Sequence, residues 1–78
     1  MAWVTSVRRK DSHGKLQPTQ VEAIVNVFST EGSKLVVQID THGSAEREIR
    51  GKLSQTLQFG EEAAQDLFEI LKQTYGFK

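Results

Sequence analysis

The sequence predicts one α+β domain, a small antiparallel sheet of about four strands followed by a C-terminal helix packed on one face. Two adjoining stretches and the spacing of the runs before them carry that reading. Residues 52–59 (KLSQTLQF) alternate at period two, with Leu57 and Phe59 on one face and Ser54, Thr56 and Gln58 on the other. From residue 60 (GEEAAQDLFEILKQTYG) the period becomes helical. Ala64, Leu67, Phe68, Leu71 and Tyr75 form one stripe, which Ala63 and Ile70 widen, while Glu62, Gln65, Asp66, Glu69 and Lys72 face water. Upstream lie three runs rich in β-branched residues, separated by turn-forming segments.

The first run, residues 3–9 (WVTSVRR), places Trp3, Thr5 and Val7 on one face of a strand. Residues 10–20 (KDSHGKLQPTQ) gather Asp, Ser, Gly and the single proline without apolar period, and read as a loop. Residues 21–29 (VEAIVNVFS) form the second strand. Its one face holds Val21, Ala23, Val25 and Val27, but Ile24 and Phe28 make the other apolar as well. Residues 30–34 (TEGSK) are a hairpin connection in which Gly32 is expected to take the positive φ. Residues 35–41 (LVVQIDT) are the third strand, with Leu35, Val37 and Ile39 expected inward and Val36, Gln38 and Asp40 outward. Residues 42–51 (HGSAEREIRG) break the alternation with two glycines and four charges. At the C-terminal end, Glu61 and Glu62 suit the positive end of the helix dipole and Lys72 the negative end, and Gly76 suits a left-handed stop. The expected core is Val7, Val25, Val27, Leu35, Val37, Ile39, Leu57, Phe59, Ala64, Leu67, Phe68 and Leu71.

At 78 residues the chain makes one domain, spanning 1–78, of a size at which self-association is a natural reinforcement. It has no cysteine, which removes disulfides, thiolate metal sites and thiol nucleophiles together and suits a reducing cytoplasm. No apolar run reaches the ~18–20 residues of a membrane span, and the N-terminal basic residues follow the apolar patch, the reverse of a secretory signal. The expectation is a cytoplasmic protein without membrane association. Ten basic and ten acidic side chains cancel. Residues 1–60 carry eight cations against six anions, and residues 61–78 two against four, so the sheet is expected to be slightly more basic than the helix.

Asp40, His42 and Ser44 fall at i, i+2 and i+4, but neighbours two apart on a strand stand roughly 7 Å apart, too far for a nucleophile, base and orienter to touch. His13 and His42 lack metal-ligand spacing and read as loop histidines. Gly43 and Gly51 lack the strand, glycine loop and helix order of a phosphate cradle. No catalytic group, metal, cofactor or small-molecule substrate is expected, and the chain reads as non-enzymatic. Basic residues do cluster along the chain, with Arg8, Arg9 and Lys10 after the first strand and Arg47, Arg50 and Lys52 before the last. In a meander whose end strands are neighbours, these six would gather at one sheet edge as phosphate contacts, with Trp3 and Phe28 as stacking platforms.

The stretches VNVFSTEGSKLVVQID, AEREIRGK, LSQTLQF and AAQDLFEIL, in that order, resemble the PC4-like single-stranded-DNA-binding transcriptional coactivator family over about the last two-thirds of the chain. The family's third-strand aromatic and Arg-Glu pair fall here near Thr41 and His42, without the arginine. The resemblance implies a homodimer whose twisted sheets grip single strands through basic and aromatic side chains.

The leading functional expectation is therefore non-enzymatic binding of single-stranded nucleic acid by a homodimer. Its rival is a protein-interaction or homo-oligomeric assembly module with no nucleic-acid role. Ile24, Phe28 and Val36, sharing a face that one helix cannot also cover, are the expected oligomer interface.

Overall fold

The computed structural model describes residues 1–42 and 53–78. Strands β1 (Ala2–Val4), β2 (Ala23–Ser29), β3 (Leu35–His42) and β4 (Leu53–Phe59) precede helix α1 (Glu61–Tyr75). They form one sheet in the order β1-β4-β3-β2. The α+β class follows directly. The sheet is mixed and not wholly antiparallel, because β1 runs parallel to β4 while β2–β3 and β3–β4 are antiparallel. A parallel neighbour needs a long crossover, and here the whole of β2 and β3 intervenes between the two strands.

The first strand is also shorter than expected. Beyond Val4 the chain leaves the sheet, and the Val7 backbone N–H donates to Asp66 Oδ2 on the helix at 3.1 Å. That bond draws residues 5–7 away from the ladder. Residues 8–22, which connect this segment to β2, are exposed.

The β2–β3 hairpin closes through the Thr30 N–H donating to Lys34 O and the Ser33 N–H donating to Thr30 O, both at 2.9 Å. Positive φ falls on Ser33 (63°) and not on Gly32. The physical reason is the loop length. A three-residue connection is a turn followed by a left-handed residue, which places that conformation at the last loop position.

The helix matches its end signals. Gly76 adopts φ 73°, and its N–H donates to Lys72 O at 2.8 Å, so a carbonyl of the last turn is satisfied. Glu61 and Glu62 occupy the first turn and Lys72 the last. The helix touches β3 and β4, and Ala63 is its buried residue. Leu67 and Ile70 are half-buried. Phe68 is 46% exposed, and Leu71 and Tyr75 are exposed too, so the Phe68–Leu71–Tyr75 edge of the expected stripe lies open.

The strand register sorts the sheet into two faces. Trp3, Gln58, Gln38 and Asn26 are successive partners across the four strands, as are Val4, Phe59, Val37 and Val27. The first face therefore carries Trp3, Ile24, Asn26, Phe28, Val36, Gln38, Asp40, Thr56 and Gln58. The second carries Ala2, Val4, Ala23, Val25, Val27, Leu35, Val37, Ile39, Leu57 and Phe59. Burial follows the expectation only in part, with Val37 and Ile39 half-buried on the second face. Val36, Asp40 and Thr56 are buried on the polar face, whereas Val25, Val27, Leu35 and Leu57 are exposed on the apolar one. Among the described residues of that second face Phe59 is buried, and Val7 is only half-buried.

Candidate assembly surface and the polar ladder beside it

The centre of the first face is a hydrogen-bonded ladder across three strands. Thr56 Oγ1 donates to Asp40 Oδ1 at 2.8 Å, Asn26 Nδ2 donates to Asp40 Oδ2 at 3.0 Å, and Gln38 Nε2 reaches both oxygens at 3.1 and 3.2 Å. Gln58 Nε2 extends the ladder to Gln38 Oε1 at 2.8 Å. Asp40 is only 7% exposed, yet its carboxyl is held below the ordinary value. The Thr56 hydroxyl contributes most and the Gln38 amide next; burial opposes them, and Asn26 and the charge of nearby His42 add to the lowering. Several neutral donors aimed at one carboxylate thus outweigh its desolvation. The ladder explains how polar residues can be buried on a face that alternation alone would leave wet, since each buried side-chain polar atom among the described residues has a partner.

At one end of this face, Lys34 Nζ lies 4.6 Å from the centre of the Trp3 ring. Gly60 also approaches the ring closely. A Cβ at Gly60 would come within 2.9 Å of Trp3 Cη2 and 3.1 Å of Cζ2, so the glycine admits the indole beside the turn into α1. Glycine is needed here for room, since its φ of −88° is ordinary.

The residues singled out as an oligomer interface all lie on the first face. Phe28 pairs with Val36, which is 3% exposed, while Ile24 pairs with Asp40. Asn26, Gln38 and Asp40 run between Ile24 and the Phe28–Val36 pair, so the three apolar residues do not form a continuous patch. Ile24 and Phe28 stay exposed at its margin.

Of the expected phosphate contacts, Arg8, Arg9 and Lys10 are exposed in the segment after β1. Arg9 Nε is engaged by Asp11 Oδ1 at 2.9 Å. Arg47, Arg50 and Lys52 lie outside the described residues. Because β1 runs parallel to β4, the chain leaves β1 at the Phe59 end of β4, whereas β4 begins at Leu53. The end strands are neighbours, as that gathering requires, but they run parallel and not antiparallel. His42 is half-buried at the end of β3 and is not a loop histidine.

The second face is open as well, with Val27 66% and Leu35 68% exposed together with Val25 and Leu57, four residues expected in the core. The helix adds Phe68, Leu71 and Tyr75, with the Tyr75 ring stacked on Phe77 at 5.5 Å. Among the described residues, no helix is long and apolar enough to cross a membrane. No protein-family model matches the sequence, and no curated protein or solved structure matches the chain.

Proposed function

We propose that this domain is a homo-oligomeric assembly module whose open apolar sheet face is completed by a second copy. The observation that carries the reading is the exposed area. The chain exposes 6993 Å², whereas a folded monomer of 8.8 kDa exposes about 4,800 Å². The excess, about 2,200 Å², exceeds the ~800 Å² per partner that a standard interface removes. Part of it lies outside the regular elements, but Val25, Val27, Leu35 and Leu57 contribute apolar area from regular strands. The radius of gyration points the same way, at 14.7 Å against about 11–12 Å for a compact chain of this length.

Among the described residues, the buried apolar side chains are Val36, Phe59 and Ala63. Full burial of a large apolar side chain contributes ~1.5–3 kcal/mol, while ordering each backbone residue costs ~1–2 kcal/mol. So small a core leaves the sheet dependent on further burial. Thermal unfolding tests this. A module stabilised by its own copies melts at a temperature that rises with protein concentration. A midpoint constant over a hundredfold dilution rejects the reading.

A second reading, binding of single-stranded nucleic acid, is favoured by the partly exposed Trp3 with Lys34 beside it, a ring and cation of the kind that stack on bases and pair with phosphate. Trp3 is the only tryptophan. Its fluorescence, followed during oligonucleotide titration at two salt concentrations, tests this reading: binding that weakens steeply with salt supports it, and an unchanged signal removes it.

A further inference from the structure

We infer that the exposed edge of β2 is a strand-pairing surface for β2 of a second copy, joined antiparallel about a two-fold axis that passes through Asn26. The inference rests on the assembly reading and adds to it the surface and the register.

The two edges of the sheet differ. β1 is three residues long, and a short edge offers little to pair with. β2 has seven residues, AIVNVFS, all exposed, with no charge and no proline along its length. Such an edge lacks the charges, bulges or cover by which strands avoid one another. Its free backbone groups can be assigned. The Thr30 N–H points across the hairpin to Lys34, and backbone direction alternates along an antiparallel strand. Phe28, Asn26 and Ile24 therefore turn their groups toward β3, while Ala23, Val25, Val27 and Ser29 turn theirs outward.

A two-fold axis perpendicular to the sheet keeps like faces together, so paired residues must share parity and the centre must lie on a residue. Asn26 is the centre that uses the whole strand. It sets Val25 opposite Val27, Ala23 opposite Ser29 and Ile24 opposite Phe28 of the other copy. Every outward-turned residue then falls in a hydrogen-bonded pair. Beyond the strand, Glu22 would face Thr30, so no like charges oppose one another. The pairing also extends both faces. Val25 and Val27 of the two copies would form one apolar strip, and the two ladders ending at Asn26 would meet at the axis.

The chain has no cysteine, so a single introduced thiol reports position without ambiguity. Asn26→Cys would lie opposite itself in a non-hydrogen-bonded pair, where Cα atoms stand about 4.5 Å apart. Mild oxidation of the full chain is expected to link it into a covalent dimer at least about tenfold faster than Leu57→Cys or Phe68→Cys, whose copies the axis keeps apart. Because Asn26 also bonds Asp40, Val27→Pro supplies a second variant. It keeps an apolar side chain and removes an N–H that serves only the outward edge, so the sheet should remain by circular dichroism while the dimer weakens by about tenfold or more. A dimer that crosslinks best at Leu57 or Phe68, or that Val27→Pro leaves as tight as before, overturns the edge pairing and leaves the assembly reading standing. A wild type that never dimerises overturns both.

Discussion

Thr56 and Asp40 are register partners on neighbouring strands, and the Thr56 hydroxyl donates to the buried carboxylate at 2.8 Å. Each belongs to a period-two strand whose polar positions would ordinarily face water. Here they are buried and bond each other, and no buried side-chain polar atom among the described residues lacks a partner.

Asp40 links stability to pH. Its folded value lies below the ordinary 3.8, so the stabilisation is present above that ordinary value and is lost as pH falls through the lowered one. Acid titration of the melting temperature should show this loss. Asp40→Asn, which holds no titrating proton, should flatten that limb; an acid limb as steep as the wild type's would assign it to other carboxylates.

Thr56→Val keeps the shape of the side chain and removes the leading donor. The Asp40 carboxyl should move up toward its ordinary value, readable by carboxyl-carbon NMR, and the melting temperature should fall. A Thr56→Ser variant restores the hydroxyl and should recover the low value.

Ser33 holds φ at 63° without being glycine, a conformation that costs roughly 1–2 kcal/mol for most L residues. Ser33→Gly should therefore stabilise by about 0.5–1 kcal/mol after the added entropy of the unfolded chain. On a domain of this size that is a rise of a few degrees in Tm, at roughly 4–8 °C per kcal/mol. Gly32→Ala, at a position open to solvent, should cost little.

Gly60→Ala forces a Cβ to within 2.9 Å of the Trp3 ring. Overpacking of this kind costs about 1–3 kcal/mol, and the ring must move to relieve it. Both a lower melting temperature and a shifted Trp3 emission are expected. Trp3→Ala in the same background should remove most of the additional cost.

Much of the fold was legible because its signals are local. Alternation marked β2, β3 and β4, and Glu61, Lys72 and Gly76 marked the two ends of α1. The pairing of Val4 with Phe59 was not legible, because a β-rich run such as WVTSVRR announces a strand without naming its neighbour or its direction. Alternation likewise shows that Thr56 and Gln58 share a face; it does not show which face closes. That depended on Asp40, Asn26 and Gln38 meeting across strands, a non-local fact. Alternation marked the apolar face that carries Val25, Val27, Leu35 and Leu57, but a pattern of alternation does not show whether such a face is covered or open. Arg8, Arg9 and Lys10 are exposed, while Arg47, Arg50 and Lys52 lie outside the described residues; that β1 would run parallel to its neighbour β4 was not legible.

Sedimentation equilibrium of the unmodified chain between about 1 and 100 µM tests the assembly claim most directly, a range that brackets the affinities of standard interfaces. The account predicts a particle of twice the 8.8 kDa chain mass in the upper part of that range, dissociating on dilution. A stable, folded particle of single-chain mass at every concentration would contradict it.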